Sequence, residues 1–213
     1  MPADMQPTLN NDPATRANNY TLRRREVIAR ILADRPKDLL IVVGLGTPSF
    51  DIVAAGDTDL TFHLWGAMGS AISIGIGLAQ ARPQNRVLVT TGDGEMLMGL
   101  GSLATAMVHK PANLTVVVTD NERYGATGMQ TTHTAYDVNV PEMARAAGWP
   151  ITGTVTSAVE LETAVPNILR APGPVFYAIK VRAEEDGMLL PPKDGVMLRD
   201  RFRKALLGPS AIF

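Results

Sequence analysis

The feature that most restricts how this chain can fold is a set of short, uninterrupted apolar runs separated by helix-length segments. Leu39-Leu40-Ile41-Val42-Val43, Arg86-Val87-Leu88-Val89-Thr90-Thr91 and Leu114-Thr115-Val116-Val117-Val118-Thr119 show no regular alternation of polar and apolar side chains. A strand with one wet face alternates, so such runs fit a parallel sheet covered on both sides. Further strands are expected at 61–64, 151–155 and 175–181. Helices are expected at 22–33, 70–81, 95–109, 141–147, 157–170 and 196–207. The first of these has Thr21 as its cap, a stripe of Val27, Ile28, Ile31 and Leu32, and Arg23 to Arg25 turned to solvent. This strand and helix alternation predicts an α/β fold: a doubly wound, mostly parallel sheet with helices on both faces. Ligands in that architecture sit beyond the carboxyl ends of the strands.

Composition narrows the function classes. The 213 residues suffice for one sizeable core, and 20 basic against 21 acidic side chains give a net charge of -1. No general attraction to nucleic acid or to an anionic membrane follows. With no cysteine in the chain, thiolate metal sites and cysteine nucleophiles are excluded, so any metal takes oxygen or His ligands. No stretch approaches the roughly 20 apolar residues of a membrane span. The polar residues 1–19 also lack the apolar centre of a signal peptide, so a cytoplasmic protein is expected. Residues 1–20 read as a flexible arm and 21–213 as one ligand-binding domain with an extended C-terminal segment and a terminal helix. The polar loop from Asp120 to about Val138 is long for a compact domain, which marks it as functional.

The chemistry-bearing constellation is Gly92-Asp93-Gly94, directly after one expected strand, and Asp120-Asn121, directly after the next. Both fall on one edge of the sheet. A carboxylate, an amide oxygen and nearby peptide carbonyls suit Mg2+, a hard octahedral cation usually shared with phosphate oxygens. The glycines and the helix start beside them offer N–H groups to the same anion. No Gly-x-x-x-x-Gly-Lys-Ser/Thr loop is present, and Gly44-Leu45-Gly46-Thr47-Pro48 lacks the later Gly and clean helix start of a dinucleotide fingerprint.

Gly92-Asp93-Gly94 together with Asp120-Asn121-Glu122-Arg123-Tyr124-Gly125 resembles the cofactor motif of thiamine diphosphate enzymes, with Asp120 in place of the first Asn of the pair. Gly46-Thr47-Pro48-Ser49, Leu64-Trp65-Gly66-Ala67-Met68-Gly69, Tyr124-Gly125-Ala126-Thr127-Gly128-Met129-Gln130 and Arg201-Phe202-Arg203-Lys204-Ala205-Leu206 are similar to segments of two related decarboxylases. These are the beta subunit of sulfopyruvate decarboxylase and the C-terminal half of phosphonopyruvate decarboxylase. The resemblance implies the diphosphate-binding domain of that family, with thiamine diphosphate and Mg2+ as cofactors. It assigns Asp93, Asn121 and the Arg123 carbonyl to the metal, and Gly92 with the Gly94, Glu95 and Met96 amides to the diphosphate. Thr47 and Ser49 become further diphosphate contacts. Gly66, Ala67 and Gly69 meet the aminopyrimidine, Met68 supports the bent cofactor, and Tyr124 and Gly125 complete the motif.

In this family the cofactor acts as the electron sink for decarboxylation of a 2-oxo acid. The activating Glu lies on a separate pyrimidine-binding domain, and residues 1–91 are already occupied by the strands and loops leading to the motif. The expectation is therefore a hetero-oligomer in which an alpha subunit supplies that Glu. Arg123 or Arg182 could orient an anionic substrate, and His133, or else His63, could donate a proton. The relatives favour Ser-Thr-Gly-Gly-Gln where this chain has residues 126–130, which leaves sulfopyruvate, phosphonopyruvate and other 2-oxo acids open. A carboligase or acyl-transfer subunit, and a non-catalytic cofactor-binding regulator, are the alternatives.

Overall fold

A computed structural model describes residues 11–208 and residue 211. A six-stranded parallel sheet runs in the order β2-β1-β3-β4-β8-β7, formed by β1 (Leu40–Val43), β2 (Thr61–His63), β3 (Val87–Gly92), β4 (Leu114–Asp120), β7 (Ile151–Val155) and β8 (Val175–Lys180). A two-stranded antiparallel ribbon, β5 (Arg123–Tyr124) with β6 (Gln130–Thr131), lies within the long loop after β4. The helices are α1 (Arg24–Ala33), α2 (Thr47–Gly56), α3 (Ala71–Ala81), α4 (Asp93–Met98), α5 (Ser102–His109), α6 (Val140–Ala146), α7 (Ala158–Arg170) and α8 (Gly195–Leu207).

Alternate residues of each central strand face opposite layers. Val87 and Val89 of β3 pack with Leu114, Val116 and Val118 of β4 against α3, α5 and α6. Leu88 and Val117 face the other way, against α1, α2 and α7. The apolar runs are buried on both sides for this reason. Local signals set the helix starts: Ser157 and Glu160 form a capping box on α7, and Asn139 and Asp194 cap α6 and α8 with their side chains.

Four expectations are revised. Thr21 does not cap α1, which starts at Arg24 after an extended entry in which Leu22 is buried; the Thr21 hydroxyl reaches the Thr156 carbonyl instead. Arg24 does not face solvent: it is 3 % exposed, with its Nε 2.6 Å from the fully buried Asp51 of α2. The segment after Gly46 is not a loop but the first turn of α2, entered through Gly46 at φ 87 with a proline in the first helical positions. Where a flexible arm was expected through residue 20, residues 1–10 lie outside the described residues. Residues 11–20 pack on the domain, with a 3-10 turn at Arg16–Asn19.

Helix α8 is fastened to the edge of the sheet by charge as well as by Phe202 against Phe62. Arg201 donates to Asp57 at 2.7 Å and to the Thr61 carbonyl at 3.1 Å, and His63 Nε2 lies 3.3 Å from the same carboxylate. Burial pushes the Asp57 carboxyl up, but the bonds from His63 and Arg201 outweigh it and hold the pKa down at about 2, against an ordinary 3.8. A depressed acid stabilises the fold above its ordinary pKa and loses that contribution as pH falls toward the folded value. Asp57→Asn should therefore cost about 2 kcal/mol at pH 7. In denaturant titrations the gap from the parent should close between about pH 4 and pH 2; a gap independent of pH would contradict the assignment.

Candidate functional site

The chain leaves β1 toward β2 at one edge of the sheet and leaves β3 toward β4 on the other side. Loops at the carboxyl ends of two such neighbours diverge and open a crevice between them. Leu45, Thr47 and Pro48 line it from the β1 side, and Gly92, Asp93, Gly94 and Glu95 line it from the β3 side. Beyond β4 it is closed by Asn121, Arg123, Tyr124 and Gly125, and Met68 contributes from the loop before α3. The register of β3 with β4, Gly92 opposite Thr119, brings the two halves of the motif side by side.

Asp93 is 2 % exposed. Thr132 Oγ1 donates to its Oδ2, and Thr134 Oγ1 lies 3.0 Å from the same oxygen and 2.8 Å from Asp120 Oδ1. Thr134 thus has a single proton for two carboxylates. Lys180 Nζ sits 2.8 Å from Asp120 Oδ2, while among the described residues no cationic side chain pairs with Asp93. Burial, and then the neighbouring Asp120, push the Asp93 carboxyl well above the usual carboxylate range. Such a group is short of positive charge. Asn121 is also buried; its Oδ1 accepts the Arg123 N–H at 3.1 Å and keeps a second lone pair.

Among the described residues no group of three or more His, Asp and Glu is placed to hold a metal alone. A cation here has to take amide, peptide and phosphate oxygens as well, the mixed set that suits Mg2+. The residues present fit a Mg2+ and diphosphate pair on that ground.

The turn between the two motif halves is held by a second buried carboxylate. Glu122 has φ 59, a left-handed conformation that costs a non-glycine residue roughly 1–2 kcal/mol. Its side chain receives Arg16, Tyr20 and Lys180, at 2.9, 2.6 and 2.9 Å respectively. Burial raises its pKa, but these donors prevail and leave it below the ordinary value.

Other residues singled out from the sequence lie at varying distance from the crevice. Ser49 is buried in α2, with its hydroxyl between the Gly44 carbonyl at 3.2 Å and His63 Nδ1 at 3.2 Å, and does not line the crevice. Gly66, Ala67, Gly69 and Met96 are not among the lining residues either, Met96 being packed in the core. Glu95 does more than offer its amide: its carboxylate takes the Thr91 hydroxyl at 2.7 Å, the Gly69 N–H at 3.3 Å and the Leu45 N–H, tying the loops after β1 and β2 to the end of β3. His133 is exposed and outside the lining set. The Arg123 guanidinium turns away to the Glu122 and Ala14 carbonyls, and Arg182 donates to the Tyr20 carbonyl. Sequence reasoning missed Thr132, Thr134, Glu122, Lys180, Arg16 and Tyr20. The only pointer to Thr132 and Thr134 was the unusual length of their loop, while Glu122 stood inside the Asp120 to Gly125 motif with no role assigned to it.

A switch-point crevice that joins a Gly-Asp-Gly helix start to an Asp-Asn turn defines an α/β domain for an anionic cofactor. Residues 51–179 match the model of the thiamine pyrophosphate enzyme C-terminal TPP-binding domain, and the chain belongs to that family. It is 35% identical over 189 residues to phosphonopyruvate decarboxylase of Streptomyces viridochromogenes, a match covering 88% of this chain and 47% of that protein. To sulfopyruvate decarboxylase subunit beta of Methanocaldococcus jannaschii it is 34% identical over 187 residues, covering 86% of this chain and 97% of that subunit. The chain thus spans about half of the first relative and nearly all of the second. The fold is similar to that of a 4-hydroxybenzoylformate decarboxylase from Rhodococcus jostii, with a TM-score of 0.67 at 20% identity over 78% of this chain and 33% of the other. It is also similar to a putative thiamin diphosphate-dependent enzyme from Mycobacterium smegmatis, with a TM-score of 0.66 at 22% identity over 76% and 32%.

Gly94 provides a local test. A Cβ there would lie 2.2 Å from the Tyr124 ring, so any side chain forces that ring and its loop out of place. Gly94→Ala should weaken thiamine diphosphate binding at least about tenfold, equivalent to about 1.4 kcal/mol, as read by calorimetry at saturating Mg2+. Unchanged affinity would mean that the Tyr124 loop does not border the cofactor.

Proposed function

We propose that this chain is the diphosphate- and Mg2+-binding subunit of a heteromeric, thiamine diphosphate-dependent 2-oxo acid decarboxylase working in the cytoplasm. Its substrate is sulfopyruvate, phosphonopyruvate or a related 2-oxo acid. The observation that carries this reading is the buried, charge-deficient Asp93 brought beside Asn121 at the switch point. In the proposed roles, Asp93 Oδ1, Asn121 Oδ1 and the Arg123 carbonyl hold Mg2+. The start of α4 and Thr47 would hold the diphosphate, and Met68, which lines the crevice, would support the cofactor. The bound cofactor supplies the electron sink that lets a 2-oxo acid lose carbon dioxide.

The chain's own residues fix position and charge. Thr132 and Thr134 orient Asp93, and Glu95 locks the loops after β1 and β2 against the end of β3. Two features favour a partner chain. The crevice encloses about 120 Å3, against roughly 300–1,000 Å3 for sites that engulf a small-molecule ligand. Trp65, Met68 and Met98 also remain exposed on the chain. The relative matched over 97% of its length is named as a beta subunit, and we assign the pyrimidine side and its activating Glu to an alpha subunit. Among the described residues no helix is long and apolar enough to cross a membrane.

The complex purified with its partner should release carbon dioxide from sulfopyruvate or phosphonopyruvate, and this chain alone should not. Asp93→Ala in the complex should lower kcat/KM at least about 100-fold, some 2.7 kcal/mol. Full activity from the isolated chain would refute the two-chain reading. Formation of a hydroxyketone on adding an aldehyde, at the expense of free aldehyde product, would replace decarboxylase by carboligase.

A further inference from the structure

We infer that Arg16 is a positioning residue for the divalent-cation site, acting through Glu122. The inference rests on the reading above of Asp93, Asn121 and Arg123 as cation ligands. Arg16 precedes Glu122 by 106 residues, in the segment where the sequence suggested only a loose arm. Its guanidinium reaches five acceptors on the loop after β4. They are both Glu122 carboxylate oxygens at 3.3 and 2.9 Å, Asp137 Oδ1 at 2.7 Å, and the Thr134 and Ala135 carbonyls at 3.0 and 3.1 Å.

These acceptors belong to two arms of one loop, and each arm carries one side of the site. Glu122 lies between Asn121 and Arg123, and its side chain is wholly buried. With its backbone held at φ 59, its placement sets where the Asn121 side chain and the Arg123 carbonyl stand. The second arm carries Thr132 and Thr134, which hold Asp93. The Thr132 N–H joins the arms by donating to the Glu122 carbonyl at 3.0 Å. Tyr20 reinforces the clamp on Glu122 at 2.6 Å, and the Arg123 guanidinium returns to the Ala14 carbonyl at 2.5 Å. Together with the Thr132–Glu122 bond, one guanidinium therefore ties the arm that carries Asn121 and Arg123 to the arm that holds Asp93.

Mg2+ demands near-ideal octahedral geometry at about 2.0–2.1 Å and tolerates ligand displacement poorly. Loosening the clamp should therefore show first in cation affinity. The cofactor's organic part, bounded by other loops, should be affected less. A residue that only stabilised the fold would not separate the two.

The test measures thiamine diphosphate binding to the complex of this chain with its partner by calorimetry as Mg2+ is varied, well below the melting midpoint of each variant. In Arg16→Ala the Mg2+ concentration for half-maximal binding should rise at least about tenfold, while at saturating Mg2+ the cofactor affinity should recover to within about threefold of the parent. Tyr20→Phe and Arg16→Lys should shift the same quantity in the same direction by less, and they carry the test if Arg16→Ala does not fold. Half-saturation unchanged in variants whose parent responds to Mg2+ would overturn the inference while leaving the site reading intact. An equal loss of cofactor affinity at all Mg2+ concentrations would also overturn it, in favour of a merely structural role. A parent complex that binds no thiamine diphosphate with Mg2+ would overturn both.

Discussion

Two carboxylates buried side by side, Asp93 at the end of β3 and Asp120 at the end of β4, are the constraint around which this molecule is arranged. Like charges removed from water repel and lose hydration, so neither persists as an anion without compensation. Asp120 is compensated by Lys180 from the next strand. Asp93 receives two hydroxyl groups, one of them shared with Asp120, and its own backbone N–H, but no cationic side chain among the described residues. In the proposed reading a divalent cation makes up the remaining deficit, with the Asn121 amide oxygen and the Arg123 carbonyl as its further ligands; the register places Gly92 opposite Thr119, two residues before Asn121.

The surrounding structure secures this arrangement from three directions. The sheet supplies the spacing, because β3 and β4 are packed on both faces and their ends do not drift. Glu95 ties the loops after β1 and β2 to the end of β3 through Leu45, Gly69 and Thr91. Arg16, Tyr20 and Lys180 hold the strained turn at Glu122 from the far side. In the proposed reading this is a well-supported half of a cofactor site, completed by a second protein surface.

Much of this was legible from residue order. Uninterrupted apolar runs gave the central strands within a residue or so, because burial on both faces leaves no room for polar alternation. Gly92-Asp93-Gly94 and Asp120-Asn121 were legible as a pair because each follows such a strand. Less was visible where tertiary contacts overrule local pattern. Arg24 sits in a basic triplet that reads as a solvent face, yet Asp51 draws it inward across α2. The first turn of α2 was hidden because Gly46-Thr47-Pro48-Ser49 has the composition of a loop; only the backbone at Gly46 reveals the helix entry. Ser49 has the right residue type at a plausible place, but its hydroxyl is spent on Gly44 and His63. The Arg16 clamp joins residues 106 apart, and no periodicity or spacing rule spans that distance.

The central claim is that Asp93 and Asn121 jointly ligate a divalent cation that secures a diphosphate. Crystals of the chain grown with thiamine diphosphate and Mn2+ in place of Mg2+, with diffraction recorded at the manganese absorption edge, test it most directly. The account predicts one strong anomalous peak bonded to an Asp93 carboxylate oxygen, the Asn121 side-chain oxygen and the Arg123 carbonyl, with two diphosphate oxygens in the same shell. A peak elsewhere, or bound cofactor with both side chains turned away from the ion, would contradict it.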